Sequence, residues 1–215
     1  MKSKIKYKRV LLKVSGEGFG DKSGRGLETE RFDTLAKEIK KVSGSGVELA
    51  VVVGGGNILR GAKFSGTGKS RVQADQVGMI ATVVNALLLQ DTLEGFGVET
   101  RVVSAIEIKN ITEPLVLINC LRYLNEKNVV VFAGGTGNPF FTTDTAAALR
   151  AIEINADVML KATQVDGVYT DDPLKNASAK LYRKLTYMDV LSKRLGVMDL
   201  TAISLSMENK LPIVV

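Results

Sequence analysis

The chain has 215 residues, enough for one sizeable domain, and it is rich in hydrophobic residues (45%) but poor in aromatic ones (6%). It has no histidine, which excludes histidine-based triads, histidine metal sites and imidazole acid–base catalysis, and its one cysteine, Cys120, excludes an internal disulfide. Its net charge of +6 is spread along the chain without a basic stretch interleaved with aromatics, which is most simply a soluble surface with an excess of lysine. If the charge has an anionic partner, we expect small phosphorylated ligands and no nucleic-acid polymer.

Short apolar runs predict strands, and the segments between most of them have the 3–4 spacing of amphipathic helices. The predicted strands are, in chain order, Val10–Val14, Val47–Val53, Val98–Val103, Val129–Ala133, Val158–Leu160 and Leu211–Val215. The predicted helices are Glu30–Ser43, Gln73–Glu94, Pro114–Asn125, Thr143–Ile154, Tyr187–Leu195 and Leu200–Asn209. This alternation indicates βαβ units, and an aliphatic core favours helices on both faces of a parallel sheet. We therefore predict one α/β domain over residues 1–215, a three-layer α/β/α sandwich around a central, mainly parallel sheet.

Three features of the sequence favour a cytoplasmic location. No apolar run approaches the roughly 20 residues needed to cross a bilayer. The basic segment 1–10 lacks the apolar region of a secretory signal. The single cysteine is typical of a reducing compartment. We expect no membrane partner.

Glycines cluster directly after three of the predicted strands. The loops are Ser15–Gly18, Gly54–Asn57 and Gly134–Asp144, the last with the sequence GGTGNPFFTTD. In parallel α/β sheets ligands bind beyond the carboxyl ends of the strands, and glycine lets backbone amides approach a phosphate closely. A helix N-terminus after such a loop adds partial positive charge. One glycine turn is often only a turn, but three at one sheet edge predict a phosphate site.

Two well-known nucleotide motifs do not fit the sequence. Residues 64–70, FSGTGKS, resemble the end of a Walker A loop, but Lys63 stands where glycine is required and no strand leads into the segment. We expect a flexible loop there. No G-x-G-x-x-G follows a strand, so a dinucleotide-binding fold is not supported.

Charged residues near the glycine loops suggest phosphoryl transfer. Lys13 and Lys161 stand at the ends of two predicted strands, and Arg60 follows the triple glycine. Asp144 lies in the first turn of a predicted helix. Cations so placed could stabilise a phosphoryl group in transfer, where positioning and electrostatics dominate. The simpler interpretations are surface lysines and an ordinary acidic residue at a helix start.

Several motifs follow one another along almost the whole chain. They are KVSGE (13–17), VGGGN (53–57) with Arg60-Gly61, GNPFFTTD (137–144), LKAT (160–163), VDGVY (165–169), Asp172-Pro173 and VMDL (197–200). In this order they resemble the bacterial uridylate kinases of the amino acid kinase superfamily. The GGGN loop and the LKAT–VDGV pair occur across the superfamily, whereas GTGNPFFTTD is characteristic of the uridylate kinases.

The resemblance implies the amino acid kinase fold and transfer of the ATP γ-phosphoryl group to UMP, with Mg²⁺ carried by ATP and no direct protein ligands to the metal. It assigns catalysis to Lys13, Lys161, Asp144 and Arg60, with Asp144 orienting the two lysines. The implied ATP-binding residues are Lys13, Val14, Ser15, Gly16, Gly56, Arg60, Thr163, Tyr169 and Asp172. The implied UMP-binding residues are Gly55, Asp75, Thr136, Gly137, Asn138, Pro139, Phe140, Phe141, Thr142 and Thr143.

The resemblance also implies properties beyond the site. These are a homohexamer, activation by GTP and inhibition by UTP, although residues 21–26 match the family's GTP-linked segment only loosely. Family members continue past the strand predicted at Leu211–Val215. We therefore expect this domain to lack its C-terminal strands, with residues 213–215 lying in the main sheet.

Two other functions remain open from the sequence. A superfamily relative could make an acyl phosphate from a small carboxylate such as acetylglutamate or aspartate, but it would need neither Asp75 nor GTGNPFFTTD. A non-catalytic nucleotide-binding protein could share the fold, but the joint presence of Lys13, Lys161 and Asp144 argues against it.

Overall fold

The structure is a computed structural model that describes residues 5–59, 70–163 and 165–215. Its strands are β1 Arg9–Val14, β2 Glu48–Val53, β3 Thr100–Ser104, β4 Glu113–Pro114, β5 Val129–Ala133, β6 Val158–Ala162, β7 Val168–Tyr169, β8 Leu181–Tyr182 and β9 Ile213–Val214. Its helices are α1 Thr29–Ser43, α2 Arg71–Gly95, α3 Leu117–Asn125, α4 Thr143–Glu153, α5 Tyr187–Ser192 and α6 Leu200–Glu208, and a 3₁₀ turn spans Gly16–Phe19. The predicted helices and long strands are all found, with shifted ends.

Seven of the strands form one sheet in the order β4-β3-β5-β2-β1-β6-β9. Every pairing described in this sheet is parallel. The carboxyl ends of its strands therefore meet at one edge, and the predicted three-layer α/β fold is confirmed. Strand β9 pairs with β6, so Ile213 and Val214 lie in the main sheet as predicted, whereas Val215 was predicted there too but follows the end of the strand.

Alternate side chains of the central strands enter two separate cores. In β1, Val10 and Val14 pack with α1 and α2 on one face, whereas Leu11 packs with α3, α4 and α6 on the other. In β2, Val51 and Val52 divide in the same way. Because successive side chains of a strand point to opposite faces, this alternation assigns every strand residue to one helical layer.

Helix α2 is long and apolar enough to cross a membrane by length and composition alone. Its buried residues pack into the sheet instead, and Val83, Ala86, Leu89 and Leu93 belong to one of the two cores. One face of α2 therefore forms part of the core of this domain.

Two local features differ from the sequence-based predictions. Pro114 was expected to begin a helix, but it lies in β4 at the sheet edge, paired with Ser104, and the helix begins at Leu117. An edge strand tolerates proline because the missing N–H faces away from the ladder. The β7–β8 antiparallel hairpin was not predicted, since its two-residue strands are too short to show a periodic pattern.

Candidate active site

Lys13 and Lys161 lie side by side at the carboxyl edge of the sheet. They are register partners on the adjacent strands β1 and β6. Lys13 follows Leu11 at a spacing of two, and Lys161 follows Met159 in the same way, so both side chains face the layer of α3, α4 and α6. Each side chain is largely buried.

Asp144 binds both lysines. It lies in the first turn of α4, whose N-cap residue Thr142 accepts hydrogen bonds from the backbone N–H groups of Asp144 and Thr145. The Nζ of Lys161 donates to Asp144 Oδ2 at 2.7 Å, and the Nζ of Lys13 forms an ion pair with Oδ1 at 2.9 Å. Two ammonium groups share one carboxylate, so the cluster keeps an excess positive charge that can attract a phosphate.

Lys161 is the more constrained of the two lysines. Its ammonium group also donates to the backbone carbonyl of Val197. Burial lowers the pKa of Lys161 below its ordinary value of 10.5; the carboxylate of Asp144 opposes that shift, and the neighbouring charge of Lys13 adds to it. The site therefore holds a cation whose desolvation is only partly compensated, a condition common where charge develops during a reaction.

The first two glycine loops touch one another. A Cβ atom on Gly16 would lie 2.3 Å from the backbone nitrogen of Gly56, so this approach is possible only without a side chain at Gly16. Ser15 directly precedes the 3₁₀ turn that follows β1, and its carbonyl accepts from the N–H of Gly18. The N–H of Gly54 donates to the carbonyl of Val14. The loops after β1 and β2 therefore form one continuous surface next to Lys13.

The third loop is attached to helix α2. The N–H of Gly134 donates to the hydroxyl of Thr82 at 2.7 Å, and the N–H of Phe140 donates to Asp75 Oδ2 at 2.8 Å. Phe140 has a left-handed backbone (φ 72°), which this contact helps to hold. Arg71 donates to both oxygens of Asp75. Asp75 therefore lies against the segment predicted to bind UMP, although part of its hydrogen-bonding capacity is already used.

The remaining residues of that segment line an exposed surface. The hydroxyl of Thr136 bonds to both the N–H and the carbonyl of Asn138. Phe140 and Phe141 are 64% and 49% exposed, so both residues are available to contact a ligand. The other positions in the stretch are Gly137, Pro139 and Thr143, and Gly137 has the positive φ of 81° that favours glycine.

A cavity of about 550 Å³ lies beside Lys161. Thr163, Tyr169 and Asp172, the residues assigned to the nucleoside end of ATP, all line it. Hydrogen bonds between Thr163 and Val165, and between Tyr169 and Asp166, order its walls. The structure thus brings the predicted nucleoside pocket next to the two-lysine cluster.

Asp199 was absent from the predicted site residues, yet it supports the site directly behind Asp144. It is the N-cap of α6, where its carboxylate accepts from the N–H of Ala202, and it also accepts from the hydroxyls of Thr142 and Thr145 at the start of α4. Burial raises the pKa of Asp199, but these hydrogen bonds outweigh it and leave the pKa below 3.8. The signal in the sequence was an aspartate directly before a predicted helix, a common N-cap pattern.

Two predictions fall outside the described residues. Arg60, assigned to catalysis and to ATP, is one of them, and the Walker-like stretch at residues 64–69 is the other. The segment expected to respond to GTP, residues 21–26, is described; its Gly26 exchanges hydrogen bonds with Asn57 of the second glycine loop.

Comparisons with known proteins agree with this geometry. The model of the amino acid kinase family matches residues 8–215. The crystal structure of UMP kinase from Bacillus anthracis is 41% identical, with a TM-score of 0.92, and the match covers 96% of this chain and 86% of that one. UMP kinase from Ureaplasma parvum is 34% identical, with a TM-score of 0.91 and coverage of 97% and 89%. Uridylate kinase from Archaeoglobus fulgidus is 30% identical, with a TM-score of 0.71 and coverage of 96% and 89%.

The family match spans nearly the whole chain, and the structural matches share the parallel sheet on which the two lysines lie. The chain therefore belongs to the amino acid kinase family.

Proposed function

We propose that this protein is a UMP kinase that transfers the γ-phosphoryl group of ATP to UMP, giving ADP and UDP. The observation that carries the proposal is the cluster of Lys13, Lys161 and Asp144 at the carboxyl edge of the sheet, between the glycine loops and the cavity beside Lys161. Structural relatives named as UMP kinases support the choice of acceptor.

The two lysines supply the electrostatic part of the reaction. Negative charge on the phosphoryl oxygens must be balanced as the bond to the leaving group breaks and the bond to the acceptor forms. Lys13 and Lys161 are fixed by Asp144 before any nucleotide binds, so little reorganisation is needed at the transition state. We assign the backbone amides of Gly16 and Gly56, which approach each other closely, to the phosphates of ATP, together with Val14 and Ser15 at the end of β1.

The acceptor is assigned from the third loop and helix α2. Asp75 retains unused lone pairs beside Phe140, and a carboxylate of this kind can accept both hydroxyls of a ribose. A small carboxylate substrate would need neither this group nor the exposed phenylalanines. This contact therefore favours UMP over the acyl acceptors of other family members.

Mg²⁺ is proposed to enter with ATP. Within the described ranges no group of three or more potential metal ligands is found, and both oxygens of Asp144 contact lysine ammonium groups. These residues do not form a protein site for the metal, so we assign the ion to the phosphates of the nucleotide.

Further properties implied by the resemblance are also proposed. They are a homohexameric assembly, activation by GTP, inhibition by UTP, and a cytoplasmic role in pyrimidine nucleotide synthesis. The contact between Gly26 and Asn57 gives the segment 21–26 a physical connection to the glycine loop, which a regulatory segment would need.

A coupled assay of ADP release tests the proposal with UMP, CMP and acetylglutamate as separate acceptors. We expect turnover with UMP that exceeds turnover with CMP, and none with acetylglutamate. Preference for acetylglutamate would replace the proposal with an acyl-phosphate kinase. ATP binding without turnover on any acceptor would indicate a non-catalytic nucleotide-binding protein.

A further inference from the structure

A pair of buried asparagines joins helix α2 to the glycine loop after β2. Asn85 lies in α2 with no exposed surface, and Asn57 ends the loop with 4% of its surface exposed. The Nδ2 of Asn85 donates to Oδ1 of Asn57 at 2.8 Å, and the Nδ2 of Asn57 donates back to Oδ1 of Asn85 at 3.1 Å. Such a reciprocal amide pair satisfies both side chains in a place that water does not reach.

The pair also holds backbone on both sides of it. Asn85 Nδ2 donates to the carbonyl of Gly54 at 2.7 Å, so the helix fixes the first glycine of the loop. Asn57 Nδ2 donates to the carbonyl of Gly26 at 2.8 Å, and the N–H of Gly26 donates to the carbonyl of Asn57. The added Cβ of Gly16 would meet Asn57 Oδ1 at 2.8 Å, so the loop after β1 packs on the same side chain. Three segments of backbone therefore converge on two amides.

We infer that Asn85, acting through Asn57, is a positioning residue for phosphoryl transfer that fixes the glycine loops against Lys13. The inference rests on the proposed function, because the loops matter for catalysis only if they hold phosphates. Glycine loops have no side chains of their own to lock them in place. Their amides can be aimed at a phosphate only if neighbouring groups fix the backbone.

The inference predicts that Asn85 and Thr82, both in α2, affect different kinetic constants. One turn before Asn85, Thr82 holds the N–H of Gly134 and hence the loop assigned to UMP. Loss of the Asn85 contacts should displace the loop Gly54–Asn57, which is proposed to hold the transferring phosphate, and so lower kcat. Loss of the Thr82 hydroxyl in Thr82→Val should chiefly raise the KM for UMP.

The test compares Asn85→Ser, Asn57→Ser, the double variant and Asn128→Ser. Asn128 is a matched control: it is 3% exposed and lies directly before β5, at the opposite, amino edge of the sheet. Displacing a reacting group by about 1 Å costs on the order of 10²-fold in rate. We expect Asn85→Ser and Asn57→Ser each to lower kcat by about this factor, and the double variant to lower it little further because the two residues act as one unit. Asn128→Ser should keep wild-type kcat.

Amide hydrogen exchange in the free protein provides a readout independent of any activity. Faster exchange at residues 21–28 and 54–57 in Asn85→Ser, but not in Asn128→Ser, supports the inference. Equal exchange in the two variants overturns it, as does a kcat in Asn85→Ser no lower than in the control. If the wild-type protein does not phosphorylate UMP, the proposed function fails, and the exchange measurement then decides the structural part alone.

Discussion

Replacing Gly16 with alanine would insert a methyl group into the neighbouring glycine loop. The new Cβ would lie 2.3 Å from the nitrogen of Gly56, 2.8 Å from Asn57 Oδ1 and 2.9 Å from the carbonyl carbon of Gly54. Ordinary contact begins near 3.4 Å, so one loop must move by about 1 Å. Two of the three atoms are backbone, which no rotamer change can withdraw.

Both stability and turnover should suffer. Forced overpacking costs about 1–3 kcal/mol of unfolding free energy, and a shift of about 1 Å in the backbone proposed to bind phosphate should cost on the order of 10²-fold in kcat. The matched control is Gly18→Ala in the same 3₁₀ turn. Its Cβ would meet only Val14 Cγ1, at 3.6 Å, and the N–H of Gly18 already donates to the carbonyl of Ser15.

Urea denaturation and steady-state kinetics on the two variants provide the measurement. We expect Gly18→Ala to retain wild-type turnover and stability to within a few tenths of a kcal/mol. If Gly16→Ala behaves like Gly18→Ala, the packing of the two glycine loops does not determine activity, and the reasoning is refuted.

Four further predictions concern the charged residues of the site. Lys13→Ala and Lys161→Ala should each lower kcat on the order of 10²–10³-fold with little change in nucleotide KM; unchanged turnover with a raised KM would mean that the roles are misassigned. Because burial lowers the pKa of Lys161, the ammonium group loses its charge at a pH below 10.5. As pH rises, kcat should therefore begin to fall before pH 10.5 is reached. The same alkaline decrease in Lys161→Arg would contradict this origin. Asp75→Ala should raise the KM for UMP in the ADP-release assay while leaving that for ATP nearly unchanged, and equal changes would count against a ribose contact. Asp199→Ala should lower the unfolding free energy by about 2 kcal/mol, because a helix cap and hydrogen bonds are lost. Since the pKa of Asp199 is lowered in the folded state, its contribution to stability is present above pH 3.8 and is lost as pH falls through the folded pKa. The urea midpoints of the wild type and the variant should therefore converge in acid, and a constant difference between them would exclude the carboxylate as the cause.

The local pattern of apolar and polar residues in the sequence was sufficient to predict most of the fold. Runs such as Val129–Ala133 are buried on both faces of a parallel sheet, so they appear in the sequence as continuous apolar stretches. The helix predicted at Thr143–Ile154 is found at Thr143–Glu153. The short β4 strand was not predicted, because Pro114 is held there by pairing with a distant strand, and local periodicity carries no information about such pairing.

For the candidate site as well, local sequence positions could be predicted but contacts between distant segments could not. Lys13 and Lys161 could be placed at strand ends from the sequence, because each follows an apolar run. That they are register partners could not be read, since residues 13 and 161 meet only through the order of strands in the sheet. The same holds for Asp199, whose contacts with Thr142 and Thr145 join two helices far apart in the chain.

Asp144 shows why the sequence alone left two interpretations open. As an acid in the first turn of α4, after the N-cap Thr142, it has the composition of an ordinary helix start. It also lies where the same helix N-terminus points at the carboxyl ends of β1 and β6, so its two oxygens reach Lys13 and Lys161. The two interpretations are therefore compatible. Helix capping fixes the backbone of Asp144, and that fixed backbone lets one carboxylate bind two largely buried ammonium groups, one through each oxygen.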